Sequence, residues 1–206
     1  MFYTEERGYA PLRFDPFKAI VAPRPIGWIS TLDANGQPNL APYSFFNAIS
    51  SRPNMIGFSS GGLMHSPGNA RETVEFVFNL SKLEHMKEMN RTAEDVDDGV
   101  NEFDLAGLQM APCKLVRPPR VAAAAAALEC KLISCTELID LNGSPTNRWW
   151  VVGQVVATHI NDRFIKHGRF DTAGARPLGR CGYHDYAVVD GTIELLRPDN
   201  PESMLR

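Results

Sequence analysis

A mainly β protein whose antiparallel strands close as a barrel is what this sequence predicts, on three observations. Runs rich in β-branched and aromatic residues recur along most of the chain. The breaks between them are turn signals, Asn35-Gly36 and Asn142-Gly143 among them. Helix-like stretches are brief, so strands joined mainly by turns are expected instead of a parallel α/β sheet.

The elements follow in order. Pro25 to Asp33 reads as a strand, and Asn35-Gly36 directly behind it predicts a hairpin returning over Gln37 to Tyr43. Met55 to Ser59 and Glu75 to Leu80 read as the third and fourth strands. Between them, the Gly/Ser-rich loop from Gly61 to Asn69 leads into a short helix, with Ser66 as its N-cap and Pro67 at its first position. Leu83 to Met89 predicts a second short helix with Leu83, Met86 and Asn90 on one side, followed by a polar loop from Arg91 to Asn101. Three long strands are then expected, at Arg120 to Ala125, Leu128 to Ile139 and Trp149 to Ile160. The end of the chain reads as an arm.

Composition narrows the class without naming a task. A chain of 206 residues suits one domain, and 44% hydrophobic with 22% charged residues is ordinary globular usage. The net charge of −3 argues against a nucleic-acid binder built on a broad basic surface. No apolar run approaches the ~18 residues of a membrane span, and Met1 to Arg7 lacks the build of a secretory signal. A cytoplasmic protein with no membrane partner is expected. Its four cysteines are expected to be free thiols; Cys130 and Cys135, five positions apart on a strand, should face opposite ways, which disfavours a shared metal.

Several chemistries lack their motifs. No GxGxxG or GxxxxGK[ST] links a strand to a helix, no GxSxG elbow is present, and the five histidines show no HExxH or HxH spacing, so no metal site is expected. The Gly61-Gly62 loop, with Ser59, Ser60 and Ser66, offers hydroxyls and backbone N–H groups to a phosphate, or is a plain surface loop. His159, near the end of its strand, can point into a cleft or be an ordinary hydrogen-bonded histidine. Trp149 and Trp150 must face opposite sides, one to the core and one to the surface.

The most informative constellation is Ala22-Pro-Arg-Pro-Ile-Gly-Trp-Ile-Ser-Thr31, Asn39-Leu-Ala-Pro-Tyr-Ser-Phe-Phe-Asn47, Pro53, and Gly57-Phe-Ser-Ser60. It continues through Asn69, Glu75 to Leu80, Glu102-Phe103, Leu128-Glu129-Cys130 and Gly153-Gln-Val-Val-x-x-His-Ile160. In this order the pieces resemble the flavin reductase-like, FMN-binding split-barrel family, in its flavoredoxin and monooxygenase reductase-component branch. The resemblance spans roughly residues 15 to 190.

It implies an antiparallel Greek-key split β-barrel with short peripheral helices, as one domain over 1–206 with a core of about 15–190 and a C-terminal arm of about 191–206. A homodimer with FMN near its interface is implied too. So is an activity: hydride passes from NADH or NADPH to flavin N5, and electrons go on to a second flavin or a partner oxygenase. The alternative is an FMN-binding electron carrier or redox sensor without NAD(P)H turnover, and a third possibility is a barrel that has lost its flavin.

FMN needs donors for its phosphate, polar groups along the ribityl chain and backbone N–H groups near N5 and O4. Ser30, Thr31, Ser59 and Ser60 suit the phosphate end, with Ser66 and Asn69 beside them. By resemblance the bend at Ala41, Pro42, Tyr43, Ser44 and Phe45 presents its backbone to the isoalloxazine, Trp28 and Phe46 form apolar walls, and Asn47 meets the ribityl or phosphate region. Trp28, Phe45 and Phe46 can equally be barrel core. His159 and Tyr183 are the expected catalytic residues beside the nicotinamide. Two departures stand out. Met64-His65-Ser66 occupies the place of the family's Lys-Asp-Thr, with Arg24, Arg71 or His65 as possible substitutes for the cation, and Leu178-Gly-Arg-Cys-Gly-Tyr183 replaces Arg-Leu-Gly-Gly before a tyrosine.

Overall fold

The structure is a computed structural model that describes residues 1–4, 6, 8–97, 99–195 and 198. Its strands are β1 (Arg24–Pro25), β2 (Gly27–Leu32), β3 (Pro38–Tyr43), β4 (Phe46–Ser51), β5 (Asn54–Ser60), β6 (Glu75–Leu80), β7 (Met110–Ala111), β8 (Arg120–Val121), β9 (Ala126–Ile139), β10 (Pro145–Ile160), β11 (Ile165–Lys166), β12 (Arg169–Phe170), β13 (Leu178–Arg180) and β14 (Tyr186–Val188). The helices are α1 (Phe17–Ile20), α2 (His65–Thr73), α3 (Met86–Arg91), α4 (Glu102–Leu105) and α5 (Thr172–Ala175). None of them is long and apolar enough to cross a membrane.

Seven strands pair antiparallel in the order β3-β2-β6-β9-β10-β5-β4. The two edge strands, β3 and β4, are consecutive in the chain and separated by only Ser44 and Phe45. The sheet must therefore curl until its edges meet at that corner, yet β3 and β4 do not pair, which leaves the barrel split there. The fold is the mainly β, antiparallel split barrel that the sequence predicts.

Strand alternation separates two cores. Ile29, Phe46, Ile56, Phe58, Phe76, Phe78 and Val151 pack inside the barrel, with Phe46 stacked on Phe78 at 4.8 Å and Phe58 edge-on to Phe76 at 5.6 Å. On the other face of β2, Trp28 packs with Leu40, Met89, Phe103, Val121 and Leu178. Gly153 makes the first core possible, because a Cβ there would stand inside the Phe76 ring. Gly153→Ala is expected to cost about 1–3 kcal/mol, read as a lower urea midpoint at unchanged slope; an unchanged midpoint would show that the ring moves aside freely.

The hairpin at Asn35-Gly36 forms as expected, with Gly36 at φ +82° and Asp33 Oδ1 accepting the N–H groups of Asn35 and Gln37. Other expectations need correction. Strand β4 was not anticipated, since it pairs on one side only and only Phe46 in it is buried, so no apolar alternation marks it. The expected strand over Arg120 to Ala125 shrinks to β8, after which the chain turns, and β9 begins at Ala126. Alanine offers neither branching nor bulk to hold an extended conformation. Helix α2 starts at His65 with Met64 as its extended N-cap residue, so Ser66 lies within the first turn. Around α3 the buried methionine is Met89, while Met86 is 37% exposed.

Cys130 and Cys135 do not face opposite ways. A bulge at Ile133, where Val152 pairs with Ser134 and Gly153 with Leu132, shifts the alternation by one, so both thiols reach the barrel core. All four cysteines are free. Neither Trp149 nor Trp150 is fully buried: Trp150 covers the backbone of Gly57, and Trp149 lies under the Arg71 guanidinium at 5.6 Å. The expected arm of about 191–206 falls mostly outside the described residues.

Candidate functional site

The split between β3 and β4 opens onto a groove. Two cavities, of about 320 and 350 Å³, lie side by side along the end of β3 with Pro42 and Ala93 in the walls of both, and together they make up the groove. The first is walled by Lys18, Arg24, Ser44, Arg180 and Tyr183; the second by Asn39, Tyr43, Ser60, Ser66 and Glu102. Ala41, Pro42, Tyr43 and Ser44 thus lie together along it. Phe45 sits at the corner, 42% exposed, with Arg24 5.6 Å from its ring.

A buried polar network underlies the second cavity. Asn69 donates to Thr31 Oγ1 at 3.1 Å. The sense that satisfies every member has the Thr31 and Ser66 hydroxyls donating to the Asn39 amide oxygen, at 3.2 and 2.8 Å, while the Asn39 nitrogen donates to Glu102 Oε1 at 3.2 Å. Glu102 Oε2 accepts from the Leu40 N–H at 3.0 Å. Burial raises the Glu102 carboxyl above its usual range, opposed by the backbone N–H groups and the charge of His65. Burial also raises the Tyr43 hydroxyl, which bonds to Ser66 and Ser60. In the sequence Glu102 stands out only as half of the Glu102-Phe103 pair. Nothing local signals its role, because its partners lie about sixty positions away.

Above this network the loop from Gly61 to Met64 is held by the β10 hairpin. The Nη1 of Arg148 occupies the place a Cβ on Gly61 would take, and Asn147 Nδ2 comes to 3.8 Å from the corresponding point on Gly62, whose φ is +112°. Met64, His65 and Asn69 line a neighbouring hollow with Arg71. Of the cations expected to stand in for the one absent at Met64, Arg71 and His65 line this hollow and Arg24 lies in the other cavity, while Arg148 packs on Gly61.

Not every predicted residue reaches the groove. Trp28 and Ser30 are fully buried, Trp28 donating to Thr92 Oγ1 at 2.9 Å and Ser30 to the Pro119 carbonyl. Thr31 is equally buried and acts through Asn39 and Asn69. Phe46 is barrel core, against Phe78. Asn47 is exposed, its side chain turned back onto the Ala48 N–H, and Ser59 is bonded through its N–H to the Phe45 carbonyl. Ser60, Ser66 and Asn69 do gather around the loop.

His159 and Tyr183 are not brought together. Tyr183 borders the cationic cavity, with the Phe14 ring tilted against it at 5.8 Å. His159 lines a separate cavity of about 350 Å³, with Arg120 and Asn161, that shares no residue with the groove. Its Nε2 meets Glu129 Oε1 at 2.5 Å. Glu129, fully buried, also accepts the N–H groups of Lys114, Leu115 and Val116 at 2.8, 2.6 and 3.0 Å. Cys113 completes a trio of potential metal ligands within 4.8 Å of one another. Burial and the charge of Glu129 push the Cys113 thiol up to about 12, and both Glu129 oxygens accept hydrogen bonds from the backbone, one of them also meeting His159.

The donor set suits FMN. Hydroxyls and amides gather around the second cavity, the Arg148 guanidinium lies beside them against Gly61, and the segment from Ala41 to Ser44 runs along the groove. Comparison with known proteins agrees in kind. A family model described as a flavin reductase-like domain matches residues 21–174. An uncharacterised protein of Aquifex aeolicus is 31% identical over 85% of this chain and 89% of its own. Among solved structures, nitrilotriacetate monooxygenase component B from Bacillus cereus superposes with a TM-score of 0.85 at 26% identity, covering 95% of this chain and 98% of that one. A Shewanella frigidimarina protein described as having a split barrel domain gives 0.82 at 19% identity, covering 96% and 99%.

Proposed function

Because this chain belongs to the flavin reductase-like domain family, we propose that it is an FMN-binding oxidoreductase that takes hydride from NADH or NADPH. Electrons then pass to a second flavin or to a partner oxygenase, a reading supported by the 26% identity to a monooxygenase component B. The observation that carries it is the groove at the barrel split, with donors gathered at one end and a backbone wall in the middle.

When bound, FMN supplies the hydride and electron chemistry, so no side-chain nucleophile is needed. The protein's part is to hold and orient. Ser60, Ser66 and Asn69, with Arg148 over Gly61, receive the phosphate end; the exposed Glu94 and Asp95 oppose it, and Arg148 offsets them. Asn39 and Tyr43, which line the second cavity, would hold the ribityl chain. The backbone from Ala41 to Phe45 would hold the isoalloxazine, and Tyr183, which lines the first cavity with Pro42 and Ser44, would border the nicotinamide. A homodimer belongs to the same reading, supported by the exposed Leu138, Ile139 and Leu141 around the β9–β10 turn.

The decisive measurement is an absorbance spectrum of the purified protein with and without added FMN and NADH. Flavin uptake with NAD(P)H oxidation is expected, and tight FMN without hydride transfer would instead mark an electron carrier. Neither uptake nor oxidation would end the flavin reading. Arg148→Ala is expected to weaken FMN roughly three- to tenfold at low salt, with less effect at high salt and none on riboflavin, which lacks the phosphate. Equal loss for both flavins would mean that Arg148 acts only by shaping the loop.

A further inference from the structure

The two halves of the groove are sorted by charge. Glu94, Asp95 and Glu102 line the second cavity, whereas the first is lined by Lys18, Arg24 and Arg180 and by no Asp or Glu. Among the described residues none of these three cations pairs with a carboxylate. Arg24 is only 7% exposed; its two Nη atoms donate to the carbonyls of Lys18, Val21 and Cys181, while its Nε is buried without a partner. Arg180 donates to the Tyr183 carbonyl at 2.7 Å and lies 4.5 Å over the Tyr186 ring.

A buried guanidinium satisfied by carbonyls alone keeps its full charge in a poorly solvated wall, at a cost that an anion would offset. With two more cations beside it, the wall also attracts anions electrostatically. The same wall reaches Pro42 and Ser44.

We propose that this cavity seats an anionic group, a phosphate or a carboxylate, of the substrate that exchanges electrons with the bound flavin. Arg24 and Arg180 recognise the group, Lys18 guards the rim, and the uncharged part of the substrate lies along Pro42 and Ser44. The identity of the substrate as an electron partner rests on the flavin reading. The anion seat itself does not.

The test titrates the full chain, first without flavin and then with riboflavin bound, with inorganic pyrophosphate and with benzoate, following intrinsic fluorescence and thermal unfolding. Wild type is compared with Arg180→Gln and Lys18→Gln, whose unliganded melting curves check that they fold. Saturable binding of either anion is expected, weakened about tenfold by Arg180→Gln and less by Lys18→Gln. Preference for pyrophosphate marks a nucleotide phosphate as the source, and preference for benzoate an aromatic carboxylate. In steady state, Arg180→Gln should raise KM for the anionic substrate and leave kcat in place.

Three results would overturn the proposal: no binding of either anion, binding indifferent to Arg180→Gln, or pyrophosphate that competes with FMN but not with riboflavin. The last would give the seat to the cofactor's own phosphate. Anion binding by a chain that takes up no flavin would keep the seat and end the flavin reading instead.

Discussion

Glu129→Ala is expected to lower the stability of the fold by roughly 3–5 kcal/mol, the usual cost of emptying one side of a buried, paired charge cluster. Three backbone N–H groups, of Lys114, Leu115 and Val116, and the ring of His159 all aim at this one carboxylate. Without it, three backbone donors, of which the Val116 N–H is buried, lose their acceptor, and the segment entering β8 loses its anchor on β9. Glu129→Gln keeps the shape and one acceptor, and should cost less, on the order of 1–3 kcal/mol.

The two substitutions also differ in pH dependence. Burial alone would raise the Glu129 carboxyl, but the Lys114 N–H, His159 and the Leu115 and Val116 N–H groups outweigh it and hold the carboxyl below its ordinary value. A group depressed in the folded state contributes stability that is fully present above its unfolded value, about 4.3, and is lost as pH falls through the folded one. Wild type should therefore exceed Glu129→Gln most at neutral pH, and the gap should close below about pH 4. Urea denaturation at several pH values measures it. A gap that is absent at pH 7, or constant down to pH 3, would show that the carboxylate is not the anchor.

What could be read from the sequence was what lies within a few residues of itself. The hairpin at Asn35-Gly36 and the strand from Glu75 to Leu80 are written in local pattern, and both form. The ordered motifs from Ala22 to Ser60 likewise carried the family and the bend that walls the groove. What was lost depended on counting or on distance. One extra residue at Ile133 reverses the facing of Cys135, and no composition signals a bulge. Arg148 meets Gly61 across 87 positions beside the β10–β5 pairing, Glu129 collects donors up to fifteen residues upstream, and Arg24 holds the carbonyl of Cys181 beside the β1–β13 pairing. His159, expected beside the nicotinamide, is carried by its strand to the Glu129 cradle and away from Tyr183.

Trp28 offers the sharpest separation of core from cofactor wall. Its ring is fully buried among Leu40, Met89, Phe103, Val121 and Leu178, and its Nε1 donates to Thr92 Oγ1 at 2.9 Å. Removing so large a side chain leaves a cavity that neighbouring strands cannot fill, so Trp28→Ala is expected to cost about 3–5 kcal/mol. For a domain of this size that is roughly 6–20 °C in Tm. Trp28→Phe retains most of the volume but loses the indole N–H and leaves Thr92 short of a donor, for about 1–2 kcal/mol. Neither loss should reach the flavin directly, because Ala41 to Ser44, not Trp28, line the groove. Trp28→Phe should then bind riboflavin as wild type does, within about twofold, while melting lower. A large fall in riboflavin affinity at a preserved melting temperature would make Trp28 a wall of the flavin site, and would move the ring to the other side of β2.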